Sequence, residues 1–115
     1  MLPNRMQLTL QTEDQLKKLK NATGVTPNVS ARLAFFRSIE TDFRYQKNDR
    51  KLDGGLVLDK FTWLGDTLTV TELMLDFYYP ELSSKDKMKA WAAHVEDGIA
   101  ALRNHRSLKD FSLSL

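Results

Sequence analysis

The chain contains no cysteine, which excludes a disulfide framework, a thiolate metal site and cysteine nucleophile chemistry. No run of about 18 apolar residues is present, so no membrane-spanning helix is expected. Residues 1–10 lack the charged-then-apolar layout of a signal peptide, and a cytoplasmic protein with no membrane partner is expected. His94 and His105 are not spaced as a ligand pair, and no HxxxH or HExxH occurs, so neither a metal nor another cofactor is expected. Gly54-Gly55 lacks the GK[ST] continuation of a phosphate-binding loop. The adjacent carboxylates Glu13-Asp14 and Glu96-Asp97 diverge on a helix and offer no two-metal site. Nothing in the sequence carries catalysis, and a non-enzymatic protein is expected.

What is present is the material of one ordinary domain. The 115 residues are 42% hydrophobic and 28% charged, the balance of a soluble globular protein. The net charge of +2 is unevenly placed. Residues 1–58 hold ten Lys/Arg against six Asp/Glu, a net of +4, and residues 59–115 hold seven against nine, a net of −2. A basic half is the simplest footprint of a phosphate-bearing partner.

The segment Arg5-Met-Gln-Leu-Thr-Leu10 alternates, with Met6, Leu8 and Leu10 on one face and Arg5, Gln7 and Thr9 on the other, which predicts a half-buried strand. Thr12 reads as the cap of a helix from Glu13 to Ala22, with Leu16 and Leu19 inward and Lys17, Lys18 and Lys20 outward. Gly24 ends it, and Thr26-Pro27 opens a second helix. Val29, Leu33, Phe36, Ile39 and Phe43 recur at steps of four, three, three and four, one face of a long helix that Ala31, Ala34 and Phe35 thicken, wide enough to need cover from the rest of the chain or from another subunit. The polar stretch RYQKNDRKLDGG reads as a mobile loop. A short strand or irregular segment over Leu56–Trp63, a helix from Thr71 to Tyr79 with Leu73, Met74 and Phe77 clustered, and an amphipathic helix from Ser83 or Ser84 with Met88, Trp91, Val95, Ile99 and Leu102 inward complete the reading. Leu108, Phe111, Leu113 and Leu115 of the tail are candidates to dock. Trp63 and Trp91 are expected in the core.

A lone strand must find a distant partner for its backbone groups. Leu56–Leu58 of the same chain is one candidate, and the same strand of a second subunit, antiparallel across a two-fold axis, is the other. Strand, helix, Gly turn and helix is the ribbon-helix-helix order. The expected architecture is therefore mainly α, one compact domain with a ribbon-helix-helix-like part over residues 5–43, a loop and irregular segment over 44–68 and a C-terminal helical part over 69–115.

The opening MLPNRMQLTL, then LKKLKNATGVTPNVSARLAF, the GG loop, the LGD turn and the C-terminal helix together resemble the DndE family, the small component of the bacterial DNA phosphorothioation (Dnd) systems. The resemblance implies a small, mainly helical, ribbon-helix-helix-like protein that forms an oligomer, expected to be a tetramer, and binds DNA with a preference for nicked duplex. It also implies partners: a cysteine desulfurase, an iron-sulfur enzyme and an ATPase, which together replace a nonbridging phosphate oxygen with sulfur. The added C-terminal part departs from a plain repressor.

Lys17, Lys18 and Lys20 are the first candidates for DNA contact, because lysine meets a phosphate as a mobile point charge with no base preference. Arg44, Lys47, Arg50 and Lys51 form a second group, diluted by Asp42, Asp49 and Asp53. Arg5, with Gln7 and Thr9, would read base edges if the strand entered a groove. Arg32 and Arg37 suit an intersubunit salt bridge or a DNA contact equally. Two other functions remain open: a ribbon-helix-helix transcriptional repressor, and a protein scaffold whose apolar second helix docks a modification enzyme without touching DNA.

Overall fold

The computed structural model describes residues 1–102; the tail residues named above as candidates to dock, and His105, lie outside them. The chain forms strand β1 (Arg5–Met6), helices α1 (Leu10–Thr23) and α2 (Pro27–Ile39), strand β2 (Leu58–Asp59), and helices α3 (Lys60–Leu64), α4 (Leu68–Tyr78) and α5 (Ser84–Leu102). It is a mainly helical domain with one small antiparallel sheet.

Of the two partners open to the first strand, the one observed is within the chain: Arg5 faces Asp59 and Met6 faces Leu58. The strand is shorter than its alternation suggested, because Thr9 caps α1. Its extended backbone and its Oγ1, which accepts from the Thr12 N–H at 3.2 Å, start the helix at Leu10. Thr12 is thus inside the helix, and Leu10 is turned out to solvent while Met6 and Leu8 stay buried. At the far end Gly24 takes φ 78° and its N–H reaches the Lys20 carbonyl at 2.7 Å, the left-handed C-cap expected of this residue.

Pro27 opens α2 as expected, and the buried stripe runs along the small-residue side of the expected wide face, with Ile39 buried and Leu33 and Phe36 half-buried beside it. Ala31, Ala34, Phe35 and Ser38 are buried, while Val29 lies at the exposed edge. The reason lies in α5. A Cβ added at Gly98 would sit 1.9 Å from the Ala34 carbonyl oxygen, so the two backbones touch and only small residues fit between them. The helix also stops at Ile39, where Thr41 satisfies the Ser38 carbonyl through its N–H (2.9 Å) and its hydroxyl (2.6 Å). Phe43 then belongs to the following loop, edge-on to the His94 ring at 5.0 Å. On α5, Met88, Trp91, Val95, Ile99 and Leu102 all point inward, as their spacing predicts.

The stretch 44–55, expected to be mobile, is tied down at several points. The Glu13 carboxylate is buried and accepts from the Gly55 N–H (3.2 Å) and the Leu56 N–H (3.0 Å). The Gly54 N–H reaches the Leu8 carbonyl at 2.9 Å, and a Cβ at Gly54 would lie 2.2 Å from the Glu13 carboxylate. The double glycine is therefore a docking point for backbone on carboxylate. Lys60, buried at the start of α3, donates to the Leu2 carbonyl at 2.9 Å and lies 3.6 Å from Glu72, which in turn accepts from the Leu2 N–H at 2.7 Å. This clamp holds the N-terminus against α4.

Helix α4 begins at Leu68, three residues before the expected cap, and Thr71 is buried within it. Leu75 is its inward residue. Leu73 and Phe77, expected to pack, are 60% and 73% exposed.

Candidate nucleic-acid interface

Lys17, Lys18 and Lys20 are all exposed on α1. Leu16, Thr12 and Glu13 take the inner face, and at 100° per residue Lys17 and Lys18 fall on the remaining arc, while Lys20 lies in line with Leu16 and Glu13 and is exposed in the last turn of the helix. Lys18 pairs with Asp14 one turn earlier at 3.1 Å, both side chains being well exposed, an arrangement that holds little free energy against solvent and a competing phosphate. Lys17 and Lys20 make no ion pair among the described residues.

The second basic group is brought only partly to the surface. Arg44 is half-buried, its guanidinium 3.9 Å above the Tyr78 ring while Nη1 donates to the Thr41 and Phe43 carbonyls. Lys47 is drawn to Asp86 at 3.3 Å, and Arg50 makes a two-point bridge to Glu96 at 3.0 and 3.1 Å. Lys51 is exposed. On the strand, Arg5 is exposed, but Thr9 is buried as the α1 cap and the Gln7 amide turns to the Gly54 carbonyl at 3.5 Å. Of the three proposed base readers, only Arg5 stands free. Arg32, considered for a salt bridge or a DNA contact, instead crosses to the end of α3, where Nε and Nη2 bind the Trp63 and Thr62 carbonyls at 2.8 and 2.9 Å.

Between α1, the 43–52 loop and α5 lies a groove of about 560 Å³. Gln11 and Gln15 form one wall, and they share with Lys18 a single row of α1 at i, i+4 and i+7. The groove therefore opens beside the lysine face. Arg44, Arg50 and Lys89 bring positive charge into it, and Glu96 and Asp97 bring negative. Glu96 is taken up by Arg50.

Beneath the groove runs a buried hydrogen-bonded chain. Ser38 donates to Asp97 Oδ2 at 2.7 Å and lies 2.8 Å from His94 Nδ1. Because the serine proton is committed to the carboxylate, Nδ1 must carry the hydrogen and donate to Ser38. His94 Nε2 is then the acceptor of the Tyr79 hydroxyl at 2.7 Å, and that hydroxyl oxygen accepts the Tyr45 N–H at 2.7 Å. Every member is satisfied. Burial, with a smaller contribution from the Arg44 charge, holds the His94 pKa down to about 4, so the ring is neutral at physiological pH. The polarity runs opposite to that of a nucleophilic triad, since histidine donates to serine rather than withdrawing its proton.

No helix among the described residues is long and apolar enough to cross a membrane. None of their His, Asp or Glu side chains gather in groups of three suited to a metal ion.

The family model described as DNA sulphur modification protein DndE matches residues 5–110. The chain belongs to the DndE family. A crystal structure of DndE from Escherichia coli B7A, involved in DNA phosphorothioation modification, is 68% identical with a TM-score of 0.86 over 89% of this chain and 97% of that one. A mutant DndE with glycines changed to lysine, also involved in DNA phosphorothioation, is 66% identical with a TM-score of 0.83, covering 89% and 99%. None of the curated proteins compared matches the chain. Family membership makes this DndE-family chain a component of DNA sulphur modification, and no enzymatic family or fold is indicated.

The sequence pointed to the lysine face but not to the groove or the histidine chain. Gln11, Gln15 and Lys18 at helical spacing are a legible signal for one wall. Ser38, Tyr79 and His94 sit far apart in sequence, and no local pattern unites them.

Proposed function

We propose that this protein is a non-enzymatic, oligomeric DNA-binding accessory subunit of the cytoplasmic phosphorothioation machinery, which grips duplex DNA, nicked duplex by preference, through backbone phosphates. The observation that carries the reading is the exposure of Lys17 and Lys18 on the outer arc of α1 and of Lys20 at its last turn. Arg5 and Lys51 add exposed charge. Lys47 and Arg50 contribute less, since their carboxylate partners must first be displaced, and Arg44 acts from within the groove.

A homotetramer multiplies this face into a larger basic surface. Helix α4 supports self-association: Val70, Leu73 and Phe77, at i, i+3 and i+7, are 39%, 60% and 73% exposed. Together they present roughly 300 Å² of apolar surface, a large share of the apolar core of a small interface burying about 800 Å² per partner. The acids beside them do little to repel a second copy, because Glu72 is held by Lys60 and Asp76 by Lys87 at 2.7 Å. The apolar face sought on α2 is covered by α5, so a scaffold reading also has to use α4.

The test is a salt series of binding to nicked and intact duplexes by wild type and by the Lys17, Lys18 and Lys20 to Ala triple variant. Phosphate contacts give a steep salt dependence, and losing three lowers the slope of log K against log salt by up to about 3 per subunit engaged. Unchanged binding in the triple variant would sink the assignment. Strong selectivity for one palindrome would instead favour the repressor reading. Capture of the system's ATPase with no DNA shift at low salt would favour the scaffold.

A further inference from the structure

We infer that the groove between α1, the 43–52 loop and α5 receives a strand-terminal nucleotide bearing a phosphomonoester. The inference rests on the reading of the protein as a nicked-duplex binder and gives that preference a site. A convex face of lysines meets every backbone phosphate alike, so it cannot by itself tell a nicked strand from a continuous one. A nick adds a strand end as well as a flexible joint, and a concavity is the feature suited to take the end.

The groove, at about 560 Å³, falls within the range of small-molecule sites. Its two cations without a carboxylate are well suited to a terminal phosphate. Arg44 uses only Nη1, on the Thr41 and Phe43 carbonyls, which leaves Nη2 and Nε unbonded among the described residues. Lys89 makes no ion pair there either. A phosphomonoester carries about −1.5 to −2 charges near neutral pH, against −1 for a bridging phosphate, so these cations favour an end over a continuous backbone. The side-chain amides of Gln11, Gln15 and Gln46 line the same space, and amides supply the paired donor and acceptor that base edges require; the Asn48 amide, also there, is engaged by the Gln46 carbonyl and the Arg50 N–H. Because Gln11 and Gln15 share a row with Lys18, a duplex lying on the lysine face has its broken strand beside the mouth of the groove.

The experiment measures binding of duplexes whose nick carries a 5′-phosphate, a 3′-phosphate or hydroxyls only, and of the intact duplex, by wild type, Lys89→Ala and Gln46→Ala. Wild type is expected to favour a phosphate-bearing nick over the hydroxyl nick by about tenfold, the discrimination of added charge-assisted hydrogen bonds. Lys89→Ala should erase that preference while its affinity for intact duplex stays within about twofold. Equal wild-type affinity for phosphate and hydroxyl nicks overturns the inference and leaves the lysine-face reading standing. If no duplex binds at all, the lysine-face reading fails, and an NMR titration with deoxyadenosine 5′-monophosphate and with deoxyadenosine decides the groove. Phosphate-dependent shifts at Gln46 and Lys89 support it, and their absence at millimolar nucleotide refutes it.

Discussion

His94 should make the stability of this protein fall between mildly acidic pH and pH 4, and the size of the fall can be worked from its surroundings. The ring is fully buried, donates from Nδ1 to Ser38 and accepts at Nε2 from Tyr79. A second proton would sit on Nε2, facing a hydroxyl that must give up its only acceptor. Burial adds the larger penalty, and the pKa falls from 6.5 to about 4. The unfolded chain takes up the proton near pH 6.5 and the folded chain does not until about pH 4, so the unfolded state binds more protons throughout that window. Stability is therefore complete above about pH 6.5, declines as pH falls, and levels off below about pH 4. The total is roughly 3 kcal/mol at 1.36 kcal/mol per pKa unit. Urea unfolding at steps from about pH 7.5 to pH 4, compared between wild type and His94→Gln, isolates this contribution from the carboxylates common to both. Wild type should lose roughly 3 kcal/mol more than the variant. A difference constant across the window, or a His94 titration by NMR above about pH 6, would refute the hydrogen-bond assignment.

Gly98→Ala should destabilise the protein by about 2–4 kcal/mol in spite of a helix-propensity gain of about 1, because the new methyl would stand 1.9 Å from the Ala34 carbonyl oxygen and the two helices must part; a raised unfolding midpoint would contradict the close packing. Gly54→Ala should cost about 1–3 kcal/mol by pushing the loop off Glu13 and Leu8, and hydrogen exchange should then quicken at Gly55 and Leu56, whose N–H groups Glu13 accepts. Lys60→Met should cost about 1–3 kcal/mol by leaving the Leu2 carbonyl and Glu72 without their cation, and Lys60→Met with Glu72→Gln should recover part of it in thermal unfolding. Phe77→Glu should shift the light-scattering mass towards monomer without unfolding the chain, since that ring is 73% exposed.

Turn chemistry and strong periodicity were legible without coordinates. Gly24 ends α1, Pro27 starts α2, and the inward residues of α5 follow from their spacing, because each depends on local backbone preference or on one dominant apolar stripe. The exposure of Lys17 and Lys18 was legible for the same reason, since outward positions on a helix follow from the inward ones, whereas Lys20 is exposed in the last turn of the helix although it is in line with Leu16 and Glu13. Boundaries set by competing caps were not legible. Thr12 is the expected cap, but Thr9 takes that place, its side chain accepting the Thr12 N–H.

The tertiary structure alone decided which side of the wide α2 face packs most closely, since the answer lies in Gly98 on another helix, and a stripe of small residues carries little hydrophobic signal until its partner is known. It alone brought Ser38, Tyr79 and His94 into one chain, and set Arg44 and Lys89 across a groove from Gln11 and Gln15. The sequence by itself determined the helices α1, α2, α4 and α5, because those depend on neighbours a few residues apart, but not α3, a helix where a short strand or irregular segment was expected. The sheet pairing, the groove and the exposed face of α4 are relations between distant residues, and only the packed chain defines them.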